Sequence, residues 1–164
     1  MYITYQDYAK IYGETDITEA DFNRLGFLAQ RVLDDLTTGV DGVRKLAVAM
    51  PTEEYAKECV VRCLGELIHL SAQVEAARNA GAPVKQANGT VAASGAVTSV
   101  SSGAESMTFA SGTAVSSAIR EAAGSVEAER KLYTSTIRNY LGGIDDANGV
   151  RLLFGGRYPV ALRG

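Results

Sequence analysis

The sequence predicts a mainly α protein: a small helical bundle of about four helices, with a long Ser/Gly/Ala-rich loop or weak β-hairpin before the last helix and an extended C-terminal tail. Three observations carry this. Apolar residues recur at spacings of three and four behind good capping residues. Between Asn88 and Ala118 roughly three quarters of the residues are Gly, Ala, Ser or Thr, and Glu105 is the only charge there. After Gly142 and Gly143 the helical spacing stops and an apolar, Arg-punctuated run follows. A chain of 164 residues suits one domain over 1–164, with a helical core at about 4–83 and 113–141, a loop or hairpin at 84–112 and a tail at 150–164.

The first segment, Thr4 to Tyr12, places Tyr5, Tyr8 and Tyr12 on one face of a short helix that Gly13 ends. Thr18 is a good N-cap for a second helix, with Glu19 and Asp21 where acids suit the positive helix end. Its stripe runs through Phe22, Leu25, Leu28, Ala29, Val32, Leu33 and Leu36, and Phe22, Leu25, Leu28, Val32 and Leu36 are expected in the core. The stretch Val40 to Met50 reads as a short helix or turn. Thr52 is expected to cap a third helix reaching about Asn79, with Val60, Leu64, Leu67 and Ile68 inside. Gly81, Ala82 and Pro83 end it.

In the small-residue stretch, Val97 to Ser101 and Glu105 to Ala110 read as two weak strands turning at Ser102 and Gly103. Val97, Val100, Met107 and Phe109 are too few large groups to order the segment Asn88 to Gly112 alone, so it needs something else to pair with. The last helix spans about Thr113 to Leu141, with Ile137 and Leu141 inside and a break where Ser125 can cap a new start. Asp145 to Gly149 reads as a polar turn whose Asp145 and Asp146 are solvated. Leu152, Leu153, Phe154 and Tyr158 then form a dense apolar group that Gly155, Gly156 and Pro159 keep from continuing as helix. This group, with Arg157, is expected to dock on a partner rather than on its own domain.

No catalytic signature is present: no nucleophile elbow, no phosphate-binding loop with its Lys, no dinucleotide fingerprint and no paired-His zinc motif. No catalytic residue and no cofactor is assigned. Cys59 and Cys63 share a helical face and read as small core residues with reduced thiols. A zinc site needs about four ligands, and His69 is the only His, so no metal is assigned. His69, three residues after Glu66, reads as a hydrogen-bonded structural side chain. A net charge of -3 without a dense Lys/Arg run argues against tight nucleic-acid binding. Met1 to Tyr12 has neither the basic start nor the apolar stretch of a signal peptide, and Cys59 to Leu70, interrupted by Arg62, Glu66 and His69, is too short to span a bilayer. No export or membrane anchoring is expected.

The order of elements resembles the head-tail connector, or adaptor, proteins of long-tailed bacteriophages and prophages. YITYQDYAKIYG and DITEADFNRLGFLAQRVLDDLT resemble that family's short aromatic segment and first long amphipathic helix. A second long helix follows, then VTSVSSGAESMTFAS, similar to its extended loop, and YTSTIRNYLGGIDDANGVRLLFGGR, similar to its closing helix and tail. The connection IDDANGV ahead of Leu152 and Leu153 is longer than that family's. The resemblance implies a structural virion protein without enzymatic activity. It would form a ring homo-oligomer, typically dodecameric, beneath the portal protein, with the loop residues Val97, Val100, Met107 and Phe109 meeting the adjacent subunit, and would join the head to the downstream neck or tail proteins. DNA would pass through without specific binding, in the virion neck after assembly in the host cytoplasm. Another neck component, such as a stopper or tail-completion protein, is the alternative, and a small thiol hydrolase a more distant one.

Overall fold

The computed structural model describes residues 1–13, 17–80 and 116–159 in full, and the backbone of four short strands between them. The protein is mainly helical, with six helices among the described residues. They are α1 (Tyr5–Tyr12), α2 (Glu19–Thr37), α3 (Lys45–Val48), α4 (Glu54–Ala80), α5 (Ser117–Gly124) and α6 (Val126–Leu141). Six exceeds the expected four because Val40 to Met50 contains one helical turn, and because the last helix breaks at Ser125, whose hydroxyl accepts from Ala128 N at 3.4 Å. The hydroxyls of Thr4 and Thr18 cap α1 and α2, accepting from Asp7 N and Asp21 N. Helix α4 begins at Glu54, later than a cap at Thr52 would start it.

Contacts cluster in two units, 1–72 with 130–164 and 73–129, so the division falls inside α4 and α6. In the first unit Phe22, Leu25, Ala29 and Leu33 of α2 share a core with Val60, Cys63, Leu64, Leu67 and Ile68 of α4 and Tyr133, Ile137 and Leu141 of α6. Burying a side chain of this size contributes about 1.5–3 kcal/mol. The aromatic face of α1 closes that core. Tyr8 stacks on Tyr12 (4.8 Å between centroids) and lies 5.4 Å from Phe22, while Tyr5 meets Phe22 edge-on. Gly65 makes room for this layer, since a Cβ there would stand 3.0 Å from the Tyr12 ring.

The expected inner face of α2 is corrected at three positions. Leu28 and Leu36 are exposed (49% and 37%) and Val32 is only half-buried. Gly26 supplies the reason. A Cβ at Gly26 would lie 2.8 Å from Met1 Sδ and 3.4 Å from Ile68 Cδ1, so α2 turns its smallest residues, Gly26 and Ala29, inward where chain comes closest. Phe22, Leu25 and Leu33 follow them, which rotates Leu28 and Leu36 outward and leaves Val32 at the edge of the core.

In the second unit Val74, Ile119 and Ala122 are buried. Arg78 of α4 donates to Ala122 O and Ala123 O, carbonyls left open near the end of α5, and pairs with Glu129 at 2.7 Å. The backbone of Val84–Lys85 pairs antiparallel with Val91–Ala92, and that of Val100–Ser102 with Glu105–Met107, in the register Val100↔Met107. These strands are shorter than those expected. Val97 and Phe109 lie outside the described residues, as do the side chains of Val100 and Met107.

A clasped C-terminal segment as the candidate functional site

The chain leaves α6 through Gly142 and Gly143, and the positive φ (+87°) of Gly143 suits a residue without Cβ. Residues 144–152 then double back: Asp145 bridges Arg151 in antiparallel sense, and Leu152 N donates to Ile144 O at 3.0 Å. The turn is built by Asp146, whose Oδ1 accepts from Asn148 N (2.8 Å) and Val150 N (2.9 Å). Its Oδ2 accepts from the Tyr158 hydroxyl at 2.6 Å, and Asn148 Nδ2 donates to the same hydroxyl. Asp146 is therefore buried, which corrects the expectation of a solvated turn residue. Three donors keep its carboxylate satisfied there. Burial, opposed by Asn148 and reinforced by Asp146, raises the Tyr158 phenol above its ordinary pKa.

Lys45 holds the other side. It is fully buried, and its Nζ donates to the carbonyls of Arg151 (3.1 Å), Leu152 (3.0 Å) and Phe154. An ammonium has three N–H groups, and each finds a carbonyl of the tail. Burial lowers the Lys45 pKa, and the charge of Asp146 offsets part of that. Asp41, in the turn between α2 and α3, completes the clasp by accepting from Tyr158 N at 3.1 Å. The strands of chain meet closely here: a Cβ at Gly39 would stand 2.8 Å from Gly156 O, and one at Gly156 would overlap the Phe154 ring.

The clasp sorts the tail residues that the sequence singled out. Leu152 (0% exposed) and Tyr158 (1%) are core residues of their own unit, so the expectation that they face a partner is corrected. A hydroxyl and a run of carbonyls gave the tail polar anchors that its apolar side chains alone did not suggest. Leu153 is half-buried against the core. Phe154 (52% exposed) and Arg157 remain on the surface, with Lys45 Nζ 5.7 Å from the centre of the Phe154 ring. Val40, in the turn that touches Gly156, is 76% exposed.

Lys45, Asp41 and the buried role of Asp146 escaped the sequence reading. A lysine directly ahead of the apolar run Leu46 to Met50 and the Asx-turn pattern of Asp146, Asn148 and Gly149 are the signals that could have found the first and last.

The thiols offer little to nucleophilic chemistry. Cys63 is buried and its thiol is pushed up to about 12, chiefly by burial, so the thiolate is disfavoured; Cys59 is half-buried. His69 is stacked on Tyr12 at 5.2 Å, and its Nδ1 lies 3.4 Å from the Tyr8 hydroxyl. Tyr12 in turn donates to Glu66 at 2.8 Å. Among the described residues no cluster of three or more His, Cys, Asp or Glu could hold a metal ion, and no helix is long and apolar enough to cross a membrane. Comparison with family models, with curated proteins and with solved structures finds no match.

Proposed function

We propose that the chain is a head-tail connector subunit, a structural protein that joins a DNA-filled phage head to its tail by assembling as a ring beneath the portal. The observation that carries this reading is the clasp, which holds an otherwise irregular tail in one conformation and leaves Phe154 and Arg157 outward. An aromatic and an arginine on a preorganised segment are the residue types that most often dominate interfaces, and fixing them in advance lowers the entropic cost of docking. The helical architecture and the order of elements support the same reading over strand-richer stopper and tail-completion proteins. With a net charge of -3 the ring would let DNA pass without gripping its phosphates. The virion neck is its place, and the host cytoplasm the place of assembly.

Truncation after Gly149 cannot test this, because it removes Leu152 and Tyr158 from the core. The test is the double substitution Phe154→Ser with Arg157→Glu, assayed for melting temperature and for joining to portal-bearing heads. Unchanged melting with joining lost is the expected result; a variant that joins heads as well as the parent overturns the reading.

A further inference from the structure

The turn that builds the clasp carries a reactive pair. Asn148 is exposed and is followed by Gly149, whose positive φ (+74°) fits it to a tight turn, so the dipeptide is set by the fold. In Asn-Gly the next backbone nitrogen reaches the side-chain amide with least hindrance, because glycine puts no Cβ in the way. A bond forms between Gly149 N and Asn148 Cγ, the bond from Cγ to Nδ2 breaks, and ammonia leaves with the proton of the Gly149 amide. Water then opens the cyclic imide. At Cγ it yields aspartate; at the main-chain carbonyl it yields isoaspartate, whose side-chain methylene now lies in the backbone. Water is the only co-reactant, and nothing is oxidised or reduced.

The closed turn occupies both reacting groups. Gly149 N, the nucleophile, donates to Asp146 O at 3.0 Å, and Asn148 Nδ2, the leaving nitrogen, donates to the Tyr158 hydroxyl at 2.9 Å. Asn148 N is held as well, by Asp146 Oδ1 at 2.8 Å. Cyclisation therefore waits for the turn to open. The product cannot restore what was there, because an ionised carboxylate has no donor. The buried Tyr158 hydroxyl, which accepts from Asn148 and donates to Asp146, is then left between two carboxylates and can donate to only one of them. Isoaspartate also lengthens a turn that closes with Asp146 N on Val150 O at 2.9 Å.

We propose that Asn148 is a deamidation site guarded by the clasp, converted to aspartate or isoaspartate when the turn opens, so that the clasp is a one-way latch whose tail no longer recloses on Tyr158 after conversion. The latch sets a lifetime on the preorganised tail. That consequence rests on the connector reading; the chemistry at Asn148 does not.

The experiment incubates the full chain at pH 8 and follows Asn148 by peptide mapping with isoaspartate detection. Mapping is needed because the same dipeptide occurs at Asn88 and Gly89, outside the described residues. A synthetic peptide of residues 145–151 in the same buffer sets the unguarded rate. Asn148 in the parent is expected to convert more slowly than the peptide by roughly tenfold or more. Tyr158→Phe, which releases the amide and keeps the ring, speeds conversion by roughly fivefold, the change in open population that goes with one lost hydrogen bond. Asn148→Asp, which makes one product directly, lowers the melting temperature by about 2–4 °C. Should Tyr158→Phe fail to show native helix by circular dichroism, Lys45→Met, which loosens the same tail from its other side, takes its place. A parent that converts as fast as the peptide, a folded variant that converts no faster than the parent, or an unchanged melting temperature in Asn148→Asp each overturns the latch. Guarded conversion together with unimpaired head joining by the Phe154→Ser, Arg157→Glu variant upholds the latch and removes the connector reading; unguarded conversion with joining lost in that variant does the opposite.

Discussion

Two apolar segments of this protein meet opposite fates. Helix α2 carries Leu28, Val32 and Leu36 at core-like spacing, yet turns Leu28 and Leu36 to solvent and only half-buries Val32, whereas the tail, which has no regular spacing, buries Leu152 and Tyr158 completely. The difference lies in what accompanies the apolar atoms. On α2 the stripe Phe22, Leu25, Ala29, Leu33 is as periodic as Leu25, Leu28, Val32, Leu36, and Gly26 decides between them by allowing close approach to Ile68. In the tail, burial is possible because each polar group that goes in has a partner: carbonyls for Lys45, a hydroxyl for Asp146, an N–H for Asp41. Apolarity says that a surface wants covering. Close approach and polar partners say by what.

The sharpest way to break this comparison is at Leu152. If it belongs to the core as Leu64 does, Leu152→Ala should cost about 2–5 kcal/mol in urea unfolding, like Leu64→Ala. A loss below about 0.5 kcal/mol would mean that the tail only rests on its unit. Next is Lys45→Met, which keeps the apolar stem and removes the ammonium. The carbonyls of Arg151, Leu152 and Phe154 then lose their donor, and since those nearer the surface can turn to water the expected cost is about 2–3 kcal/mol. Amide hydrogen exchange at Leu152, whose N–H bonds Ile144 O, should quicken in the same variant. Unchanged exchange there would show that Asp41 and Asp146 hold the tail without Lys45.

Much of the helical scaffold was legible because local chemistry and tertiary structure agree. Thr4 and Thr18 cap the helices they precede, Ser125 breaks the last one, and Phe22, Leu25, Val60, Leu64, Leu67, Ile68, Ile137 and Leu141 lie in the core as their spacing implies. The face of α2 was not legible, because a helix with two adjacent stripes offers periodicity no choice, and the deciding contacts, Met1 and Ile68 against Gly26, are distant in sequence. The clasp was hidden for a related reason. Lys45 and the carbonyl of Leu152 are 107 residues apart, and a lysine beside Arg44 at the head of an apolar run does not announce its acceptors. Of the tail residues read as a partner face, Phe154 and Arg157 are outward, whereas Leu152 and Tyr158 are not.

A smaller effect is expected from the core on the α4 side. Cys63 keeps its proton to about pH 12 in the folded chain against an ordinary value of 9.0, so the stability it contributes is fully present below pH 9 and is lost as pH rises from there towards 12. Lys45, with its lowered pKa, acts in the opposite sense below its ordinary 10.5. The readout is therefore the difference between parent and Cys63→Ala. Between about pH 9.5 and 10.5 the parent should lose up to about 1.4 kcal/mol per pH unit more than the variant. Parallel stability curves would show the thiol titrating freely in the folded protein.

The smallest expected effect is also the one that separates the two segments most cleanly. Leu28→Gln removes a leucine from what reads, in sequence, as the middle of a core stripe, yet half of that side chain is already in water. In dilute solution, where any association of copies is absent, the substitution should change unfolding free energy by no more than about 0.5 kcal/mol, the range usual for surface positions. Leu25→Ala, one turn earlier on the buried face, should cost about 2–5 kcal/mol under the same conditions. The contrast between neighbours on one helix cancels errors common to both measurements, such as the slope against denaturant. A Leu28→Gln loss above about 1 kcal/mol in the monomer would place Leu28 in the core after all and return α2 to the orientation its periodicity allows equally well.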